Sequence, residues 1–407
     1  MKGQHTVPVG PAPVLFAGPS LTRLFLAFLR LGATAFGGPA MVAHIKALAV
    51  EQRRWLDAGD FANGVALCQT VPGATAMQTA AYVGLRVRGI WGGLAAYVGF
   101  GAPAFCLMVA LTAVYLRARA LPVTIQLFGG LQAVVVALIA SAACTFALST
   151  IRNWRGVAVA GAAALALTWR VHPMVVIAGC GVIGAWLLQT PGQVRAGGEG
   201  RSGQAGWLGP TLALVGAVFG AMAMLFWLDR GLYELAVTMI RVDLAAFGGG
   251  YASVPLMQYE VTAVRGWMDS RTFMDGIALG QVTPGPIVIT ATFVGFVIRG
   301  LPGAVVATLS IFAPSFVVVA LVTPHFDRLQ RQAAFRGATA GALLSFVGLL
   351  ASVAVRFAME TPWSVTTTVM AVAAFVAFRK RVDVLWVVLA GVIISLVSAI
   401  STVPTGP

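Results

Sequence analysis

The sequence predicts an all-α polytopic membrane protein made of two inverted-topology repeats, with about 13 spans in a 6+1+6 order and discontinuous helices at Pro-Gly breaks. Three observations lead there. Hydrophobic residues make up 59% of the 407 and charged residues 10%, with a mean hydropathy of +0.89. Apolar runs such as 122–150 and 333–355 are as long as a bilayer is thick and lack strand-like alternation, which leaves helices. One stretch also occurs twice: FANGVALCQTVPG at 61–73 and FMDGIALGQVTPG at 273–285 share seven of thirteen positions. Downstream, TAAYVGLRVRG at 79–89 matches TATFVGFVIRG at 290–300 in six of eleven.

Taken in order, residues 1–20 carry four prolines and no cleavable apolar core, so they read as a short polar tail. A first span covers about 21–36 and ends in FGGP; residues 40–57 then form an interfacial or re-entrant helix closing on Trp55-Leu56-Asp57. The segment 61–88 breaks at Pro72-Gly73 and, like its second copy 273–299, either spans or re-enters. Spans at about 91–116, 122–150, 156–169 and 173–189 complete the first repeat, residues 1–190. The Gly-rich, charged segment 191–206 reads as a flexible linker, and 207–228 as an extra span without a first-half partner. Residues 230–407 then repeat the order: 231–247 ending in FGGG, Trp267-Met268-Asp269, the second interrupted segment 273–299, and spans near 303–322, 333–357, 362–378 and 383–402. One odd helix between two even halves turns the second half upside down, as in many secondary transporters.

The net charge of +14 comes from 27 basic and 13 acidic residues. With the amino terminus inside, fourteen basic residues fall in cytoplasmic segments and nine outside. That asymmetry accounts for the excess without a nucleic-acid partner and favours a cytoplasmic amino terminus; an anionic substrate is the other source open for part of the excess. The four cysteines stand singly in apolar stretches, so neither a metal site nor a disulfide framework is indicated, and no cofactor motif stands out.

Helices that restart after a Pro-Gly break offer free N–H groups and the positive end of a dipole, which suit an anion. Four restarts follow Pro39, Gly73, Gly250 and Pro286. Either they only kink helices for packing, or they form a binding site; their occurrence in two copies favours the site. The candidate residues are Phe36, Gly37, Gly38, Pro72 and Gly73, with Phe247, Gly248, Gly249, Pro284 and Gly285 in the second copy. Beside them stand Gln69 and Gln281, Thr79 and Thr290, and Gln78 in the first copy alone. Arg30 and Arg241, each six residues before FGG, either hold oxyanion oxygens or snorkel to an interface. Asp243 is either a proton carrier or a salt-bridge partner. Asp57 and Asp269, each after a Trp near an interface, read as caps or anchors. His44 stands alone, and a structural role is its default.

At these residues the chain resembles the chromate ion transporter family in its long, two-domain form. The match rests on FGGP followed by His44, ALCQTVPG with Gln78 downstream, Ala102-Pro103, and the second copy. It spans about 20–402. The resemblance implies an inner-membrane secondary transporter that exports chromate on the membrane potential or the proton gradient, confers chromate resistance, and meets sulfate as a competitor. Its partners are then the oxyanion, the lipid bilayer and protons, with a homodimer left open. The first copy departs from the family pattern, reading PGATAMQ where many members carry PGP; PGP occurs here only at 284–286. Uptake or exchange of sulfate or another oxyanion, and a passive anion channel, are the alternatives. No HExxH, paired aspartates or Walker loop suggests an enzyme.

Overall fold

The computed structural model describes residues 19–36, 38–169, 171–188 and 208–402, and every regular element among them is helical. The expectations for the amino-terminal tail, the 191–206 linker and Gly37 fall outside these residues.

Ser20 caps α1 (Leu21–Thr34), its Oγ accepting from the Arg23 N–H at 3.2 Å. Fourteen residues make a helix of about 21 Å, short of a hydrocarbon core of about 30 Å. At Ala35 the chain turns back into α2 (Gly38–Lys46), which loosens into wider turns over Ala47–Gln52. Trp55, at the end of that return, stacks on Phe28 with ring centroids 6.3 Å apart, so the two arms lie side by side.

The next segment does the same. Asp57 caps α3 (Ala58–Thr70), accepting from the Asp60 N–H at 2.8 Å, which makes it the cap the sequence suggested. After Pro72-Gly73, α4 (Thr75–Ala118) begins. Arg86 pairs with Asp60 at 2.9 Å, and the Tyr82 hydroxyl donates to the Asp60 carbonyl at 3.3 Å. The start of α3 therefore lies beside the end of the first part of α4. Segment 61–88 is therefore a hairpin, the re-entrant one of the two forms open to it from the sequence. At Arg88-Gly89 the backbone leaves helical geometry, with Gly89 at φ +62°, and α4 reverses to run on to Ala118. Arg88 Nε donates to the Pro19 carbonyl at 2.9 Å, returning the chain to the level at which it entered.

Three further helices complete this half: α5 (Pro122–Thr150), α6 (Trp154–Thr168) and α7 (Pro173–Leu187). Pro122 and Pro173 open theirs where a missing N–H costs nothing. The apolar α8 (Leu208–Leu228) leads to the second set. There α9 (Arg230–Ala245), α10 (Gly250–Gln258) and its wide turns over Tyr259–Val264 repeat α1 and α2. Likewise α11 (Ser270–Val282) and α12 (Thr290–Val322) repeat α3 and α4, with Asp269 as the cap and a reversal at Arg299-Gly300. A short α13 (Phe326–Arg331) precedes α14 (Ala333–Glu360), α15 (Val365–Arg379) and α16 (Val384–Thr402).

Five of the described helical segments are long and apolar enough to cross a membrane, and α6, α7, α15 and α16 are shorter apolar ones. The thirteen expected spans include 21–36, 61–88, 231–247 and 273–299; here α1 and α9 are each followed by a returning helix, and 61–88 and 273–299 fold as hairpins. Phe28, Phe100, Phe273, Phe293 and Phe316 are fully buried around the hairpins, whereas Trp154, Trp186 and Trp227 are left exposed on outer helices. A membrane protein places its apolar periphery in this way, because lipid takes the part of solvent.

Candidate oxyanion site at the hairpin tips

The two Pro-Gly tips adopt the same backbone: Gly73 has φ +120° and Gly285 φ +119°. L-residues rarely adopt this conformation, which accounts for glycine at both positions. Each tip is tied to the opposite half. The Gly73 N–H donates to the Ala246 carbonyl at 2.8 Å, and the Gly285 N–H donates to the Ala35 carbonyl at 3.0 Å. Ala35 and Ala246 are the residues at which α1 and α9 stop. The four breaks thus meet in the middle of the protein.

Beside the tips lies a cavity of about 680 Å³. Its wall includes Ala74, Thr75 and Ala76 at the start of α4, Gly248–Tyr251 at the start of α10, and Pro286-Ile287 at the second tip. The first turn of each helix carries N–H groups without intrahelical acceptors, so donors and positive dipole ends converge on one space. Gln69 and the aliphatic residues Val65 and Ala66 line one side. Lys46 stands exposed in the wall and is the only basic side chain there. Among the described residues no carboxylate lines the cavity.

The structure sorts the sequence candidates. Gln69, Gly248 and Gly249 line the cavity. Pro72, Gly73 and Gln78 build the first tip: the Gln78 amide donates to the Pro72 carbonyl and leaves its own Oε1 buried with no hydrogen-bond partner. Pro284, Gly285 and Gln281 form the second tip and are buried. Thr79 and Thr290 are buried but spend their hydroxyls within their own helices, on the Thr75 and Ile287 carbonyls at 2.7 and 2.8 Å. Phe36 and Phe247 are half-buried. Gly38 starts α2, and Gly37 is outside the described residues.

Arg30, His44 and Arg241 are not brought into the cavity. All three are exposed, and Arg241 lines instead a small cleft with His172 and Glu260. Of the two roles open to Arg30 and Arg241 from the sequence, their exposure fits the interfacial one. Asp243 is fully buried, and its partner is a hydroxyl, not an arginine: Ser315 Oγ lies 2.8 and 2.7 Å from the two carboxylate oxygens.

Three features escaped the sequence reading. Lys46 counts in the sequence only as one of the loop charges, although it stands as a lone lysine at the end of GPAMVAHIK. Ser315, 72 residues from Asp243, gave no local sign. Asp275 is buried and accepts from the Tyr115 hydroxyl and the Gln132 amide, both at 2.8 Å, so α11 is joined to α4 and α5.

The doubled architecture coincides with a family model described as "Chromate transporter", which matches residues 22–185 and again 233–396. The chain belongs to the chromate transporter family. A chromate transport protein of Cupriavidus metallidurans is 30% identical over 89% of both chains, and one of Pseudomonas aeruginosa is 30% identical over 91% of both. An uncharacterized transporter of Methanocaldococcus jannaschii is 39% identical over 92% of this chain and 94% of its own. No solved structure matches. Membership makes this chain a transporter and not an enzyme.

Proposed function

We propose that this protein exports chromate across a bacterial inner membrane by alternating access between two inverted halves. The observation that carries the reading is the convergence of three helix starts on one cavity with a single lysine in its wall. Chromate is a tetrahedral dianion, and backbone N–H groups at helix ends hold such oxygens without a counter-ion of their own. Residues at the tips, Pro72, Gly73, Gln78, Gly248, Gly249, Pro284 and Gly285, shape the site, with Gln69 and Lys46 on the approach.

Contacts between the halves support the inverted arrangement. Tyr115, near the far end of α4 from its Gly89 turn, reaches Asp275, one and a half turns into α11. Midway along α4, the Tyr97 hydroxyl donates to the Phe312 carbonyl of α12 at 2.8 Å. The two long helices therefore cross in opposite senses. On this reading the described chain crosses nine times, through α4–α8, α12 and α14–α16, and the four hairpins enter from opposite faces. Arg53, Arg54, Arg86, Arg88, Arg152, Arg155, Arg328, Arg331, Arg336, Arg379, Lys380 and Arg381 then share the side of Ser20. Arg117, Arg119, Arg230, Arg265, Arg271, Arg299 and Arg356 take the other. Twelve against seven favours a cytoplasmic amino terminus, with the cavity opening to the cytoplasm.

A negative-inside potential drives a dianion outward by about 4.6 kcal/mol per 100 mV, twice the figure for one charge. Asp243, buried beside the first tip without a basic partner among the described ion pairs, is the proposed carrier of a coupling proton. Sulfate, alike in shape and charge, competes. Radiolabelled chromate flux in proteoliposomes, under an imposed potential or pH gradient and with sulfate added, tests all of this. Flux no greater than in protein-free liposomes would refute it.

A further inference from the structure

The open cavity belongs to one half only. From α2 to the first tip the two copies run at an offset of 212, so the wall positions between Met41 and Gln69 have counterparts 212 residues on. Ala62, Val65 and Gln69 are exposed or half-buried on the first side; their counterparts Met274, Ile277 and Gln281 are all buried. Lys46 is exposed and Gln258, its counterpart, is buried. The difference arises from what covers each hairpin. In the second half, α5, α14 and α16 pack on α11, whereas the main packing of α3 is against α4.

Three polar atoms in this covered region have no hydrogen-bond partner among the described residues: Ser253 Oγ, opposite Met41 in the repeat, Gln281 Nε2, and the Oε1 of Gln132 on α5. Burying a donor or acceptor unpaired is unfavourable, and such atoms are rare in settled cores. Water would satisfy all three if the region opened. The same face carries the Asp275 junction, where a buried carboxylate accepts from Tyr115 of α4 and Gln132 of α5. Its repeat counterpart, Asn63, is exposed and makes no such junction. The fastening is therefore present on the shut side and missing on the open one.

We propose that the second half contains a shut vestibule, the counterpart of the open one, fastened by Asp275 to Tyr115 and Gln132, and that the anion leaves through it on the opposite face. This rests on the alternating-access reading above and names its exit. Releasing the two hydrogen bonds unties α11 from α4 and α5. Gln281 and Ser253 then line a wetted passage, as Gln69 does now.

The test is thiol labelling in a background with Cys68, Cys106, Cys144 and Cys180 replaced, using a membrane-impermeant maleimide on vesicles of each orientation. Ala62→Cys is expected to label rapidly from the side of the amino terminus. Ile277→Cys is expected to label slowly and only from the opposite side. Adding Tyr115→Phe, or separately Gln132→Leu, should raise the Ile277→Cys rate by about tenfold, the weight of one hydrogen bond to a charged group. Labelling of Ile277→Cys from the same side as Ala62→Cys overturns the proposal, as does no labelling in either loosened variant. Because the readout needs no substrate, it separates failure of the shut vestibule from failure of chromate transport.

Discussion

Gly73→Ala tests the tip geometry most directly. A Cβ built on Gly73 would lie 1.9 Å from Ser315 Oγ and 2.6 Å from the Gln78 amide nitrogen, inside any tolerable contact. The backbone sits at φ +120°, a region that costs a non-glycine residue about 1–3 kcal/mol. Forcing the two polar groups aside adds about 1–3 kcal/mol of overpacking. The total, about 2–6 kcal/mol, falls on the tip, on the Gly73–Ala246 hydrogen bond and on the Ser315–Asp243 pair. Gly285→Ala should be milder, because its Cβ would meet one methyl, that of Ala104, at 2.8 Å. Gly129→Ala, with nothing within 4 Å, serves as the control. Chromate flux in proteoliposomes, normalised to folded protein by size-exclusion chromatography, should fall at least tenfold for Gly73→Ala and stay unchanged for Gly129→Ala. Wild-type flux in Gly73→Ala would refute the claim that the tip geometry matters.

Lys46→Gln should raise the KM for chromate about 5–30-fold with little change in kcat, since a lysine in a wetted wall attracts the dianion with about 1–2 kcal/mol; added salt should narrow the gap. Asp243→Asn should abolish flux driven by a pH gradient but retain chromate exchange at zero gradient; retained pH-driven flux would remove Asp243 from the coupling. The Arg30→Gln, Arg241→Gln double variant should transport within about threefold of the parent, because neither side chain reaches the cavity; a loss of two orders of magnitude would return both arginines to the binding site. Disrupting the Arg86–Asp60 pair with Arg86→Gln should lower stability by about 0.5–1 kcal/mol, seen as a small drop in Tm, as expected of a pair that is partly exposed.

What the sequence made legible was local chemistry. Pro-Gly pairs mark the tips, Asp57 and Asp269 mark helix starts, and a doubled pattern marks equivalent structure in both halves. Whether an apolar segment crosses or doubles back was not legible, because the run has the same length and composition either way. The contacts that decide it join residues far apart in the chain, such as Arg86 with Asp60 and Trp55 with Phe28. The error spread from there. Treating 21–36 as a full crossing separated Lys46 from the hairpin tips and left it out of the candidate set. Departures from the repeat were harder still to read. Asp243 stands opposite Gly32, Ser315 opposite Ala104 and Asp275 opposite Asn63, and each gains meaning only from a partner on another helix.

The crosswise bonds from Gly73 to Ala246 and from Gly285 to Ala35 bear on how such a chain can be divided. A single half, made alone, would hold one bare amide and one bare carbonyl deep in hydrocarbon, each penalised by several kcal/mol. It would stay unfinished until a second body supplied the missing mates. Two fragments severed between α7 and α8 should therefore seek each other in the bilayer, and a free-standing half-length protein of this design would have to work as a pair.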